Sequence, residues 1–193
     1  MTREDAYKIL TRYNESEALI KHALAVEGVM RHFAKIYGED ENKWGIVGLL
    51  HDVDYEKYPT EHCVKAVELL RENSVPEEII HSVCSHGFGI CSDVEPTAFM
   101  EKILFTIDEL TGLINASALL RPSKSVMDLE YKSLQKKFKT PSFAAGVDRG
   151  VIERGVTMLQ ADKPEVTLQF IMEESIAGMR EVADEIGLRG EIA

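Results

Sequence analysis

At 193 residues, 45% apolar and 28% charged, the chain can bury one sizeable core and has the balance of a globular domain, which excludes fibrous and disordered classes. Its formal charge of −11 argues against a surface that tracks a nucleic-acid polymer, because neutralising phosphates takes clustered Lys and Arg. The opening residues MTREDAYKIL carry charges where a secretory signal needs an apolar run, and no stretch approaches the ~18 apolar residues of a membrane span. A cytoplasmic protein with no membrane partner is the expectation.

The first periodic segment follows Asn14 and Glu17, which are spaced like a capping box. Leu19, Ala23, Val26, Met30, Phe33 and Tyr37 then recur every three or four residues and predict a long amphipathic helix ending near Gly38. His22 lies beside its apolar stripe, whereas His32 is roughly 15 Å further along and too distant to share an ion with it. A second helix is predicted over about 42–51, where Gly45 and Gly48 each cost about 1 kcal/mol of helix propensity and imply close packing as compensation.

Pro59-Thr60 opens a further helix through Val64, Val67 and Leu70. The run Ser74-Val75-Pro76-Glu77-Glu78 starts another that stops by His86-Gly87. Pro96-Thr97 begins a mostly apolar helix with Asp108 in its middle, where a carboxylate is costly unless a cation, an ion pair or hydrogen bonds satisfy it. A Lys-rich helix over about 125–138 follows, its Lys132, Lys136, Lys137 and Lys139 reading as a solvated face. Beyond a loop at 141–147, helices are predicted over about 148–159 and 164–186. No alternating strand pattern, internal repeat or linker interrupts this series, so the fold class is all-α, a helical bundle forming a single domain over 1–193.

The most informative feature is His51-Asp52, closing the apolar run from Trp44 to Leu50, with His22 upstream and Asp108 downstream. Imidazole and carboxylate donors on separate helices suit a divalent cation of the Mn, Fe, Co, Ni or Zn type, and a bound cation acidifies its water. The three cysteines, Cys63, Cys84 and Cys91, are odd in number and form no CxxC, which points to buried or idle thiols and not to a thiolate zinc site.

The pattern of His22, LLHDVD and Asp108 resembles the HD-domain superfamily of metal-dependent phosphohydrolases, over roughly residues 15–120, with 121–193 as a C-terminal helical extension. The resemblance implies His22, His51, Asp52 and Asp108 as ligands of one divalent ion, Mg included. By likeness to the binuclear members, His62 and His86 would serve a second. It also implies hydrolysis of a small phosphorylated metabolite or nucleotide by a metal-activated water. The cyclic-dinucleotide phosphodiesterase branch has a Gly-Tyr-Pro extension absent here. The alarmone hydrolase branch has Glu-Asp where this chain has Tyr55-Glu56, so the likeness is greatest to small stand-alone HDIG-type proteins.

Asp52 is expected to help orient the water, with Asp54 and Glu56 as acid/base candidates. Lys57, Arg121, Lys124 and Arg149 are candidates for the phosphate, and the small-residue loop at 140–149 for a lid. Two other classes fit the same residues: a non-catalytic metal- or nucleotide-binding regulatory module, and a di-iron oxygenase that would need the extra histidines. A homo-oligomer is compatible with all three.

Overall fold

Helices supply the regular structure of residues 1–190, the part of the chain described by the computed structural model, apart from one isolated bridge between Phe88 and Ser92. The helix α1 (Arg3–Tyr13) has no counterpart among the predicted elements. Only Ala6, Ile9 and Leu10 are buried along it, so its apolar stripe is too thin to register as a period. Its start is nevertheless encoded locally. Thr2 Oγ1 accepts from the Asp5 N–H at 3.1 Å, and Asp5 accepts from the Thr2 N–H at 3.2 Å, a reciprocal capping box. Arg3 then docks α1 through the buried Glu27, at 2.7 Å.

The long predicted helix is α2 (Glu17–Tyr37), which follows Ser16 without a cap from that side chain and is ended by Gly38. Asn14 serves the end of α1 instead, its N–H bonding to Leu10 O at 2.9 Å. Helix α3 (Glu41–Leu50) starts where Asp40 accepts from the Asn42 and Lys43 N–H groups at 2.9 and 3.0 Å. Gly48 is the point of contact between α3 and α2. A Cβ there would lie 3.1 Å from Val26 O and 3.2 Å from Glu27 Cα, both backbone atoms that cannot step aside.

The helix expected from Pro59 is broken. A 3-10 turn, Pro59–Glu61, is followed by His62 and Cys63 and then by α4 (Val64–Glu72), with Cys63 at φ +65°. Helix α5 (Glu77–Ser85) stops just before His86, so the two histidines at 81 and 86 do not share a continuous helix. Helix α6 (Phe99–Leu119) is buried along most of its length and carries Asp108 at mid-span. The Lys-rich segment shortens to α7 (Tyr131–Phe138), because Asp128 turns back to bind Arg121 at 2.8 and 2.9 Å and holds the preceding residues in a loop. Lys132, Lys136 and Lys139 are exposed, as a solvated face requires.

Helices α8 (Arg149–Asp162) and α9 (Leu168–Glu181) complete the bundle. The last is shorter than the expected 164–186, since Thr167 caps its start by accepting from the Phe170 N–H at 3.1 Å. His32 of α2 sits between Glu174 and Glu181 of α9, 2.7 Å from each, which ties the last helix to the second. One cluster of buried apolar side chains draws on α1 to α9. Among the described residues no helix is long and apolar enough to cross a membrane.

Replacing the Gly48 hydrogen by a branched side chain should force α3 away from α2. Overpacking of this kind costs about 1–3 kcal/mol, so Gly48→Val should lower the urea midpoint accordingly. An unchanged midpoint would contradict the close approach.

Candidate metal centre

The packing of α2, α3 and α6 brings four distant side chains to one point. His22 Nε2 is 3.2 Å from His51 Nε2 and 3.0 Å from Asp108 Oδ1, and His51 Nε2 is 3.3 Å from Asp108 Oδ1. Asp52 Oδ2 completes this group at 3.4 Å from His51 Nε2 and 3.8 Å from His22 Nε2. The other oxygen of Asp52 faces a second group. His62 Nε2 and His86 Nε2 are 3.1 Å apart, and lie 3.3 and 3.5 Å from Asp52 Oδ1.

The backbone explains this convergence. His51 follows the last turn of α3 and His86 the last turn of α5, so both project from helix ends, while Asp52 begins the turn that leads away from α3. Three of the four rings are set by their other nitrogen. His51 Nδ1 is 2.7 Å from Gly48 O, His86 Nδ1 is 2.6 Å from Val83 O, and His62 Nδ1 is 2.8 Å from Asp54 Oδ1. Donation from Nδ1 leaves the Nε2 lone pair facing the centre, the arrangement that metal-bound imidazoles use.

Two neutral rings cannot favourably point lone pairs at each other across 3.1 or 3.2 Å. Either a proton or a cation must lie between them. Without an ion, protons do so: burial disfavours the His51 imidazolium, but Asp52 and Asp108 outweigh it and raise its pKa well above the ordinary value. Burial likewise works against ionised Asp52 and Asp108. His51 and its neighbouring histidines overcome that and hold both carboxyls well below the usual range.

The donor set also fits a cation. Adjacent donors around an octahedral ion with bonds of about 2.1 Å sit roughly 3 Å apart, close to the observed separations. His22, His51 and Asp108, and separately His62, Cys63 and His86, form groups whose ligand atoms all lie within 4.8 Å of one another.

Residues 19–113 match a known family, described as HD domain. This segment is an HD domain, and it contains every histidine and aspartate of the two donor groups. No solved structure matches the chain.

The remaining expectations divide sharply. Asp54 is fully buried, with Oδ1 on His62 and Oδ2 accepting from the Ala66 N–H at 2.8 Å. It orients a histidine and does not line the cavity over the centre. Glu56 accepts from the Glu15 and Ser16 N–H groups at 2.8 and 3.0 Å, capping α2 away from the centre. These corrections have one cause: both acids follow Asp52 in sequence, but the turn after α3 uses them as braces.

None of the four expected phosphate-binding cations lines the cavity over the centre. Lys57 donates to Arg12 O at 3.0 Å, and Arg121 is paired with Asp128. Arg121 lies thirteen residues along α6 and its end from Asp108, roughly 20 Å by helical rise. Lys124 is exposed in the following turn at φ +48°. Arg149 is spent inside the 140–149 loop, bonding to the carbonyls of Phe143, Ala144 and Val147. The loop does reach the cavity wall, since the Asp148 N–H donates to Glu109 Oε2 at 3.1 Å and Glu109 lines the cavity.

Seven residues of the cavity wall were not singled out as site residues by sequence reasoning, and three of them, Glu109, Tyr55 and Cys91, carry a titratable side chain. Burial raises the Glu109 pKa, and Asp108 and Asp148 add to this against the Asp148 N–H. Position beside Asp108 on a helix was the signal available for Glu109. Cys91 had none, because a glycine-rich turn carries no readable period. His81 bonds Glu101 at 2.9 Å and braces α5 against α6, as a structural histidine would.

In chelator-treated protein these charges leave a pH signature. His51, with a raised pKa, contributes stability that is complete below ~6.5 and lost as pH rises through the raised value. Asp52 and Asp108, with depressed values, contribute stability complete above ~3.9 that is lost as pH falls through them. Thermal melts from neutral to alkaline pH should therefore show a loss in the wild type that His51→Gln lacks. Equal losses in both would refute the assignment.

Proposed function

We propose that the protein is a phosphohydrolase of a small phosphorylated metabolite or nucleotide, working with two divalent ions that share Asp52. The observation that carries this reading is the division of one carboxylate between two histidine groups, Oδ2 toward His22 and His51 and Oδ1 toward His62 and His86. His22, His51, Asp108 and Asp52 would hold the first ion, and His62, His86 and Asp52 the second. When bound, such ions polarise a phosphoryl oxygen and acidify a water enough to attack near neutral pH.

The chain's own groups supply positioning and proton handling. Asp54, through His62, and the Gly48 and Val83 carbonyls, through His51 and His86, keep the ligand rings from rotating. Glu109 is the carboxylate of the cavity wall that is left after the ligands are assigned, and it is placed to pass a proton to the leaving oxygen. No Lys or Arg lines this cavity of about 400 Å³, so the phosphate charge is met by the ions.

A neighbouring cavity of about 560 Å³ shares His22 and Gly112 with the first. Ser16, Lys21 and Asn115 line it together with Leu119, Met179 and Leu188, a mixture suited to the organic body of the substrate. Phosphate over Asp52 and the remainder beyond His22 is the arrangement proposed.

Chelator-stripped protein reloaded with Mn, Co, Ni, Zn or Mg should hydrolyse a member of a nucleotide and phosphomonoester panel. Asp52→Ala should abolish turnover and lower the metal content while circular dichroism is preserved. Turnover by Asp52→Ala at the wild-type rate would sink the proposal. Glu109→Gln should retain metal and lose on the order of 10²-fold in kcat. An unaltered kcat would remove Glu109 from the chemistry. The second histidine group also suits di-iron oxygen chemistry, and oxygen uptake by the iron-loaded protein without phosphate release would favour that alternative.

A further inference from the structure

The second donor group is incomplete if His62, His86 and Asp52 are its whole complement. The first group has Asp108 to itself as well as a share of Asp52, while the second has two neutral imidazoles and that shared carboxylate. A divalent ion there would face less than half the negative charge of its neighbour. A thiol lies at hand. Cys63 Sγ is 4.0 Å from His86 Nε2, and Cys63 is 2% exposed.

An ion bonded tetrahedrally to nitrogen at about 2.05 Å and to sulfur at about 2.3 Å holds those donors roughly 3.5 Å apart. Cys63 therefore needs to move by a few tenths of an ångström. Its backbone supports the same end. Cys63 stands at φ +65° and ψ −35°, a conformation that side-chain-bearing residues hold where the surroundings over-determine it, often at functional sites. The break between the 3-10 turn and α4 falls at His62 and Cys63, so their side chains leave adjacent positions toward the same group.

Cys91 and Cys84 are arranged around Cys63. Cys91 Sγ lies 3.3 Å from Cys63 Sγ, within sulfur hydrogen-bond range, and Cys84 Sγ donates to Cys63 O at 3.4 Å. Cys91 also lines the open cavity. One sulfur is thus buried beside the histidines, a second can hydrogen-bond to it, and a third braces its backbone.

We infer that the Cys63 thiolate is a ligand of the second ion, with His62, His86 and Asp52 Oδ1. This rests on the two-ion reading above and makes the two positions chemically unlike. The His22 position, with nitrogen and oxygen donors, accepts ions such as Mn2+ and Mg2+, whereas a thiolate selects Zn2+, Fe2+ or Co2+. Ion uptake at the second position replaces the S–H bond by a sulfur–metal bond and releases the proton to solvent. The sequence expectation of idle thiols is revised accordingly for Cys63.

Cobalt titration of the chelator-stripped full chain tests this without any substrate. The wild type should bind two equivalents of Co2+ and develop a near-ultraviolet sulfur-to-cobalt charge-transfer band with one of them. The band should vanish in Cys63→Ser and Cys63→Ala and persist in Cys91→Ser. Affinity of the weaker variants for that equivalent should fall at least about tenfold. Two equivalents without a band would overturn the thiolate ligand and leave the two-ion reading intact, whereas a single equivalent would overturn that reading itself. A band lost only in Cys91→Ser would also overturn the assignment. If both Cys63 variants lose their helical circular dichroism, X-ray absorption of the zinc-loaded wild type decides it: a sulfur in the first coordination shell supports Cys63 when the same signal remains in Cys91→Ser, and its absence overturns it.

Discussion

The constraint on which the rest depends is the electrostatic cost of concentrating Asp52, Asp108 and the rings of His22, His51, His62 and His86 in one largely buried volume. Burial alone disfavours the charged state of both acids and of His51. Such a cluster persists only when positive charge neutralises it, from protons or from metal ions. Asp52 occupies the hinge of this arrangement because its two oxygens face different pairs of histidines. Removing it would leave each pair with lone pairs opposed and nothing shared between them.

The bundle is arranged to impose this geometry. Gly48 lets α3 lie against the backbone of α2, which sets His51 against His22, and α6 runs through the core to present Asp108. Helix ends then do what helix middles cannot. His51 and His86 both follow a terminal turn and bond back to a carbonyl three residues earlier, so ring direction is fixed by the same atoms that end the helix.

Much of this was legible in the sequence, because helices and ligand-bearing apolar segments are written in local patterns. The periods from Leu19 to Tyr37 and from Phe99 to Ile114, and the pair His51-Asp52 after an apolar run, point to the bundle and its first donor group. What escaped has tertiary causes. Helix α1 has too few apolar positions to show a period, and the break at His62 and Cys63 follows no Gly or Pro at those positions. The placements of Asp54, Glu56, Lys57 and Arg149 were not legible, because nearness in sequence does not say where a side chain turns. All four brace neighbouring backbone or a ligand ring, and the cavity is left with Glu109 and no cationic side chain.

That absence bears on what the site can do. In a chain of net charge −11, an anionic group has little reason to settle in this cavity unless ions are already there. Metal occupancy and substrate binding are thus coupled in the proposed function, and the sharing of Asp52 is its central claim. Diffraction from metal-loaded crystals, recorded at the absorption edge of the bound metal, tests that claim most directly. Two anomalous peaks about 3.5–4 Å apart, each within bonding distance of a different Asp52 oxygen, are expected; a single peak, or two peaks that Asp52 does not join, would contradict it.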